Sequence, residues 1–238
     1  MEPWYRLAVG IVQPVVRLLF RRDFRHQDRI PSSGGCIVAV NHISYVDFAV
    51  TAVFVHESGR RPRFLGKASV FRVPVTGRII RGARQIPVYR DTADAAQALT
   101  AAVEAVRAGE CVVIYPEGTI TRDPDYWPMV GKTGAARLAL TTGAPVIPAA
   151  QWGAQRLLGH SGRLRLGWRR TPVIMLAGER VDLRRWEGRE LTADTLREAT
   201  DAIMRDLRAL LAEIRDENPP VEFAPAEAGV DGAPGRTA

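Results

Sequence analysis

Lysine is almost absent from this chain. Of its 33 lysines and arginines only Lys67 and Lys132 are lysine, so nearly all positive charge sits on guanidinium groups, which suit forked pairing with carboxylates and phosphates. The preference resembles a codon bias; both lysines follow a glycine, and they are either site residues or chance survivors on the surface. Cysteine is equally scarce. Cys36 and Cys111 each open an apolar run and show no metal or redox spacing, which excludes a disulfide framework and reads as two reduced core thiols. Negative charge is the minority: 26 Asp and Glu leave a formal net charge of +7 and a pI near 10.1. That balance points to anionic partners such as phosphates, acidic carrier proteins, membrane lipid or nucleic acid. No stretch interleaves aromatic and basic residues into the stacking platform that single-stranded nucleic acid requires, so no nucleic-acid partner is expected. An uncharged apolar run long enough to span a bilayer, about 20 residues, is also missing.

The N-terminus nevertheless carries an unusual apolar helix signal. In "EPWYRLAVGIVQPVVRLLFRR" (2–22) the stretch between Arg6 and Arg17 is uncharged but only ten residues long, and it contains Pro14. The positive charge of Arg21 and Arg22 follows the apolar part and no small-residue cleavage pattern appears, which argues against a secretory signal. Arg6, Gly10, Gln13 and Arg17 recur at helical spacing and line one narrow polar stripe. Two packings satisfy this pattern. One is an interfacial helix with Trp4 and Tyr5 at headgroup level and arginines near anionic lipid. The other is a helix packed on the protein's own core.

With 238 residues, 46% of them hydrophobic, the chain can bury the core of one main α/β domain. Strand-like runs at 36–41, 63–66, 85–89, 111–115, 145–150 and 172–177 alternate with helical patterns at 44–57, 92–108 and 132–142. A last amphipathic helix spans 193–215 with Thr192 as its cap. The spacing predicts a mostly parallel central sheet flanked by helices. It divides the chain into an N-terminal anchoring helix and linker at 1–29, a catalytic domain at 30–217 and a disordered Pro/Gly/Ala-rich tail at 218–238.

The chemistry gathers at strand ends. "VNHISYVDF" (40–48) places His42 and Asp47 five residues apart, a separation that does not share a helical face. It instead sets His42 in a strand-to-helix turn, with Ser44 capping the helix and Asp47 in its first turn, folding back onto the imidazole. There the carboxylate would fix the tautomer of a general base. The carboxyl ends of sheet strands are where open α/β folds collect their active sites. A second strand ends in "YPEGT" (115–119), bringing Glu117, Gly118 and Thr119, and a third ends at Arg90. No metal-ligand cluster is apparent.

"NHISYVD" resembles the NHxxxxD block of the glycerolipid acyltransferases, notably the 1-acylglycerol-3-phosphate type, and "YPEGT" resembles their FPEGT block. The segment 64–90 is similar to theirs at Lys67, Pro74, Gly77 and Arg90. "GKTGAARLALTTGAPVIPAA" (131–150) resembles their lysine-glycine helix and proline-bearing fourth block. The resemblance runs from about residue 30 to 182 and departs in two places. Tyr115 replaces a Phe, and Ile120 stands where the family carries an arginine associated with the acceptor phosphate.

The resemblance implies the family's α/β fold and transfer of an acyl group from acyl-CoA or acyl carrier protein, without cofactor or metal, to a lysophospholipid hydroxyl. Such a protein is expected on the cytoplasmic face of the cell membrane. His42 and Asp47 would be catalytic. Arg90, Glu117, Gly118, Thr119, Arg122 and Lys67 would face the acceptor, with Asn41 and Lys132 as further candidates. Arg122, two residues beyond Ile120, is the candidate to replace the missing arginine, and Glu117 would orient an arginine or the acceptor hydroxyl. Donors to the tetrahedral oxyanion are expected among backbone N–H groups near the helix start or at Gly118. A different lipid headgroup, a thioesterase and a non-catalytic membrane-binding protein are the rival readings.

Overall fold

The computed structural model of the chain describes residues 3–88 and 92–223. Helix α1 (Pro3–Leu19) leads directly into strand β1 (Phe20–Arg25), followed by β2 (Cys36–Val40), α2 (Asp47–Glu57), β3 (Pro62–Lys67), α3 (Ala68–Phe71), α4 (Pro74–Gly82) and β4 (Ile86–Val88). Then come α5 (Thr92–Arg107), β5 (Cys111–Ile114), α6 (Gly134–Thr142), β6 (Val146–Trp152), α7 (Gln155–Leu158), β7 (Thr171–Ala177) and α8 (Ala193–Arg215). The strands form one sheet in the order β1-β7-β6-β2-β5-β3-β4. All pairs are parallel except β6 with β7, in agreement with the mostly parallel sheet expected. Cys36 through Val40 are fully buried, as a central strand covered on both faces must be.

Several boundaries differ from the sequence reading, each for a physical reason. The charged segment "FRRDFR", placed in a linker, is an edge strand. It pairs with β7 from Phe20 opposite Thr171 to Arg25 opposite Leu176, and Phe20 enters the core. Helix α2 begins at Asp47 rather than Ser44. Ser44 sits in the preceding turn, where its hydroxyl donates to the carbonyl of Leu158 at 2.6 Å and accepts from Val46 N at 3.2 Å. Helix α8 keeps the expected cap, with the Thr192 hydroxyl accepting from Thr195 N. Residues 219–223, assigned to a disordered tail, lie against α8: Arg208 donates to the carbonyls of Pro220 and Val221 and stacks on Phe223.

Helix α1 has three faces. Tyr5 and Val16 are buried, and Val12 and Leu19 pack on the same core cluster as Val16. The Tyr5 hydroxyl bonds His56 Nδ1 at 2.9 Å, and Gln13 and Arg17 reach Glu57 at the end of α2. On the second face Trp4, Leu7, Ile11, Val15 and Leu18 stay exposed, at separations of three and four that align them in one stripe. Arg6, Gly10 and Arg17 make the third. The helix therefore packs on the protein's core and also presents an uncovered apolar stripe.

Candidate functional site

Strands β2 and β5 are neighbours, with Cys36 opposite Cys111 and Ala39 opposite Ile114. Their carboxyl ends therefore release "NHISYVD" and "YPEGT" side by side. His42 Nδ1 lies 2.9 Å from Asp47 Oδ2. The same oxygen accepts the backbone N–H groups of Ile43 at 2.6 Å and Ser44 at 2.7 Å. A carboxylate oxygen holding two N–H donors faces the ring as an acceptor, so the proton belongs on Nδ1 and Nε2 is left to take one. The ring keeps part of its surface open while Asp47 is wholly buried. Burial pushes the Asp47 carboxyl up, and the hydrogen bonds from His42, Ser44 and Ile43 pull against it.

The imidazole is held from a second side by a ring that sequence reading noted only as a substitution. Tyr115 stacks on His42 with centroids 4.3 Å apart and planes 23° from parallel, and its hydroxyl donates to Thr51 Oγ1 at 3.1 Å. Burial raises the Tyr115 phenol well above its ordinary range, so it remains neutral.

Glu117 serves the main chain around His42. It is wholly buried, with Oε1 accepting the His42 N–H at 2.9 Å and Oε2 accepting the Met129 N–H at 3.0 Å. The carboxyl ties the His42 main chain to Met129, and burial pushes it up to about 8. A second tie runs from Thr121 N to the His42 carbonyl at 2.7 Å. Asn41 is also internal. Its amide oxygen accepts from Gln151 N at 2.8 Å and its amide nitrogen donates to the Gln151 carbonyl at 3.0 Å, clasping β2 to β6.

Three of the backbone N–H groups near the expected oxyanion site already have partners. Ile43 and Ser44 N–H serve Asp47, and Gly118 N–H bonds the Tyr115 carbonyl at 2.9 Å. Gly118 takes a left-handed φ of +70°, and the Lys132 side chain crosses it so closely that a Cβ there would lie 3.0 Å from Nζ. The exposed ammonium of Lys132 thus stands over the turn that follows β5. Lys67 ends β3 and is exposed. Thr119 and Ile120 are half-buried, Thr121 is buried and Arg122 is exposed, so position 122 turns away from the interior where 121 turns in. Arg90 lies outside the described residues. Among the described residues no cluster of His, Cys, Asp or Glu could hold a metal ion, and no helix is long and apolar enough to cross a membrane.

Residues 21–152 match the family model described as acyltransferase. A chloroplastic 1-acyl-sn-glycerol-3-phosphate acyltransferase of Brassica napus is 28% identical over 182 residues, covering 74% of this chain and 51% of the relative. A 1-acyl-sn-glycerol-3-phosphate acyltransferase of Borreliella burgdorferi is 30% identical over 122 residues, covering 51% of this chain and 47% of its own. The chain thus spans about half the length of the curated relatives it matches. The crystal structure of the 1-acyl-sn-glycerophosphate acyltransferase PlsC of Thermotoga maritima superimposes with a TM-score of 0.67 at 21% identity, over 91% of this chain and 81% of that one.

Proposed function

The chain belongs to the acyltransferase family, and from that premise we propose that it moves a fatty acyl group from acyl-CoA or acyl carrier protein to the sn-2 hydroxyl of 1-acylglycerol-3-phosphate. The product would be phosphatidic acid, a phospholipid precursor. The observation that carries the reading is the Asp47 oxygen gripping His42 Nδ1 and two backbone N–H groups at once, which leaves Nε2 as a poised base. In the reaction His42 Nε2 accepts the hydroxyl proton as the acceptor oxygen attacks the thioester carbonyl. The tetrahedral intermediate collapses by expelling the thiolate, which recovers the proton from the imidazolium. Asp47 stabilises that imidazolium, and Tyr115 keeps the ring from turning. Lys132, above Gly118, offers positive charge near the developing oxyanion or the acceptor phosphate. The reading is tested with purified protein against lyso-acceptors of differing headgroup, using both donor types. Free fatty acid released without any acceptor would instead favour a thioesterase.

A phosphate monoester carries about 1.5–2 negative charges near neutral pH and needs positive partners when it leaves water. Arg90→Ala and Arg122→Ala are expected to raise the KM for a phosphate-bearing acceptor more than for the acyl donor, each by about ten-fold or more for a lost charged hydrogen bond. If Arg122→Ala leaves acceptor KM unchanged while Arg90→Ala raises it, Arg122 does not replace the arginine absent at Ile120. If neither matters, a different headgroup is favoured.

Peripheral membrane attachment through the exposed stripe of α1 completes the proposal, since the lysolipid acceptor and its product reside in a bilayer. Deleting residues 1–22 would be a poor test, because it also removes half of β1 and the buried Tyr5, Val16 and Phe20. Replacing Leu7, Ile11 and Leu18 together with serine spares those contacts. This variant is expected to shift from the membrane to the soluble fraction with an unchanged melting temperature, whereas salt alone should release the parent protein poorly.

A further inference from the structure

The segment between α7 and β7 exposes large apolar side chains among four arginines. Residues 160–170 are exposed without exception. Leu164 and Leu166 are more than half exposed and Trp168 projects fully into solvent at 107%. Arg163, Arg165, Arg169 and Arg170 alternate with them, and no Asp or Glu occurs between Trp152 and Gly178. The segment is nevertheless built: Leu158 and Leu164 form an antiparallel bridge, Arg165 N bonds the Leu157 carbonyl at 2.8 Å and Gly162 N bonds the Gly159 carbonyl at 3.0 Å. Its far side meets α1, where Leu18, Leu157, Leu166 and Trp168 line one groove edged by Arg17 and Arg170. Its root touches the site, because the Ser44 hydroxyl donates to the carbonyls of Ala154 and Leu158 at either end of α7.

We propose that the 160–170 segment is a second docking element for an anionic lipid surface, in which Leu164, Leu166 and Trp168 enter the interfacial layer while the four arginines engage lipid phosphates. The pattern matches that occupant on two counts. Tryptophan and leucine on a cationic ribbon gain from the headgroup–acyl boundary, and a stretch of chain with four arginines and no carboxylate of its own is complementary to lipid phosphate. The groove shared with Leu18 makes the segment continuous with the apolar stripe of α1, so the two would meet one membrane together. Through Ser44 and α7, docking would also set the turn that holds His42 close to the surface from which a lipid acceptor is drawn. The inference extends the lipid-acyltransferase reading, but its test reads binding and is independent of turnover.

The full chain is incubated with sucrose-loaded vesicles of phosphatidylcholine alone or mixed with phosphatidylglycerol, and the bound fraction is measured by sedimentation. Leu166→Ala with Trp168→Ala is expected to lower partitioning into mixed vesicles by about ten-fold or more. Arg169→Gln with Arg170→Gln is expected to abolish most of the preference for phosphatidylglycerol and leave binding to neutral vesicles little changed. Acyl transfer to a detergent-dispersed acceptor should persist in both variants, and loss of it in the parent protein would count against the proposed activity while leaving the docking result standing. Parental partitioning in both variants would overturn the inference. So would a parent protein that is dimeric by light scattering and becomes monomeric in the Leu166→Ala, Trp168→Ala variant, because the patch would then be covered by a second copy.

Discussion

Replacing His42 with alanine is expected to lower kcat by about 10²–10⁴-fold, the range for loss of a positioned general base, with the melting temperature close to that of the parent. The side chain is partly exposed and, among the described residues, its ring is hydrogen-bonded to Asp47 alone, so removing it leaves no large cavity. Asp47→Asn is expected to cost less in turnover. The amide oxygen can still accept from the Ile43 and Ser44 N–H groups, so the turn survives, but the negative charge that stabilises an imidazolium is gone. It also tests the buried Oδ1, which has no hydrogen-bond partner among the described residues: an amide nitrogen placed there is an unpaired donor, and the melting temperature should drop modestly. Steady-state kinetics with circular dichroism on both variants decide the matter. A folded His42→Ala protein with near-parental turnover ends the general-base mechanism.

Glu117 is expected to make the fold less stable as the pH rises from about 5 to 8. Burial holds its carboxyl up at about 8 against an ordinary 4.5, with the backbone bonds to His42 and Met129 opposing the rise. Below pH 4.5 both the folded and unfolded chains carry the proton. Between 4.5 and 8 the unfolded chain releases it while the folded one retains it, so stability declines across that window and levels off above the folded value. Each pH unit between the unfolded and folded values is worth about 1.4 kcal/mol, so the whole decline amounts to several kcal/mol. Glu117→Gln should flatten this part of the profile. It should also lower stability at acid pH by about 1–3 kcal/mol, because the amide nitrogen must face one of the two backbone N–H groups that the carboxyl now accepts. Thermal melts of both proteins between pH 4.5 and 8.5 provide the check. If the parent and variant profiles run parallel, Glu117 is not the group that retains the proton. Because Glu117 holds the His42 main chain, the variant should also lose kcat more than it gains KM.

Strands β2 to β7, helices α1, α2, α5, α6 and α8 and the His42–Asp47 pair are legible in the amino-acid sequence, because each is written in a short window, whereas the short helices α3, α4 and α7 are absent from that reading. Strands β2 and β5 are runs of small and β-branched apolar residues, β6 begins as one after Pro145, and α8 repeats its apolar positions with a helical period beneath a threonine cap. His42 and Asp47 are five residues apart, so a single turn brings them together whatever the remainder of the chain does. Contacts joined across long separations depend instead on the assembled fold. Glu117 reaches the His42 N–H over 75 residues and Asn41 meets Gln151 over 110. Both follow from the register in which β5 and β6 flank β2, which no local pattern specifies. Strand β1 was hidden for a related reason: "FRRDFR" has the composition of a solvated linker, and only the edge offered by β7 makes a strand of it. The sides of α1 were legible as polar and apolar, but which apolar side would be buried was settled by Tyr5 and Val16 finding the core and leaving Trp4, Leu7, Ile11, Val15 and Leu18 outside. Hydrophobic periodicity records that a surface prefers to leave water; the packing of distant elements selects the partner that covers it.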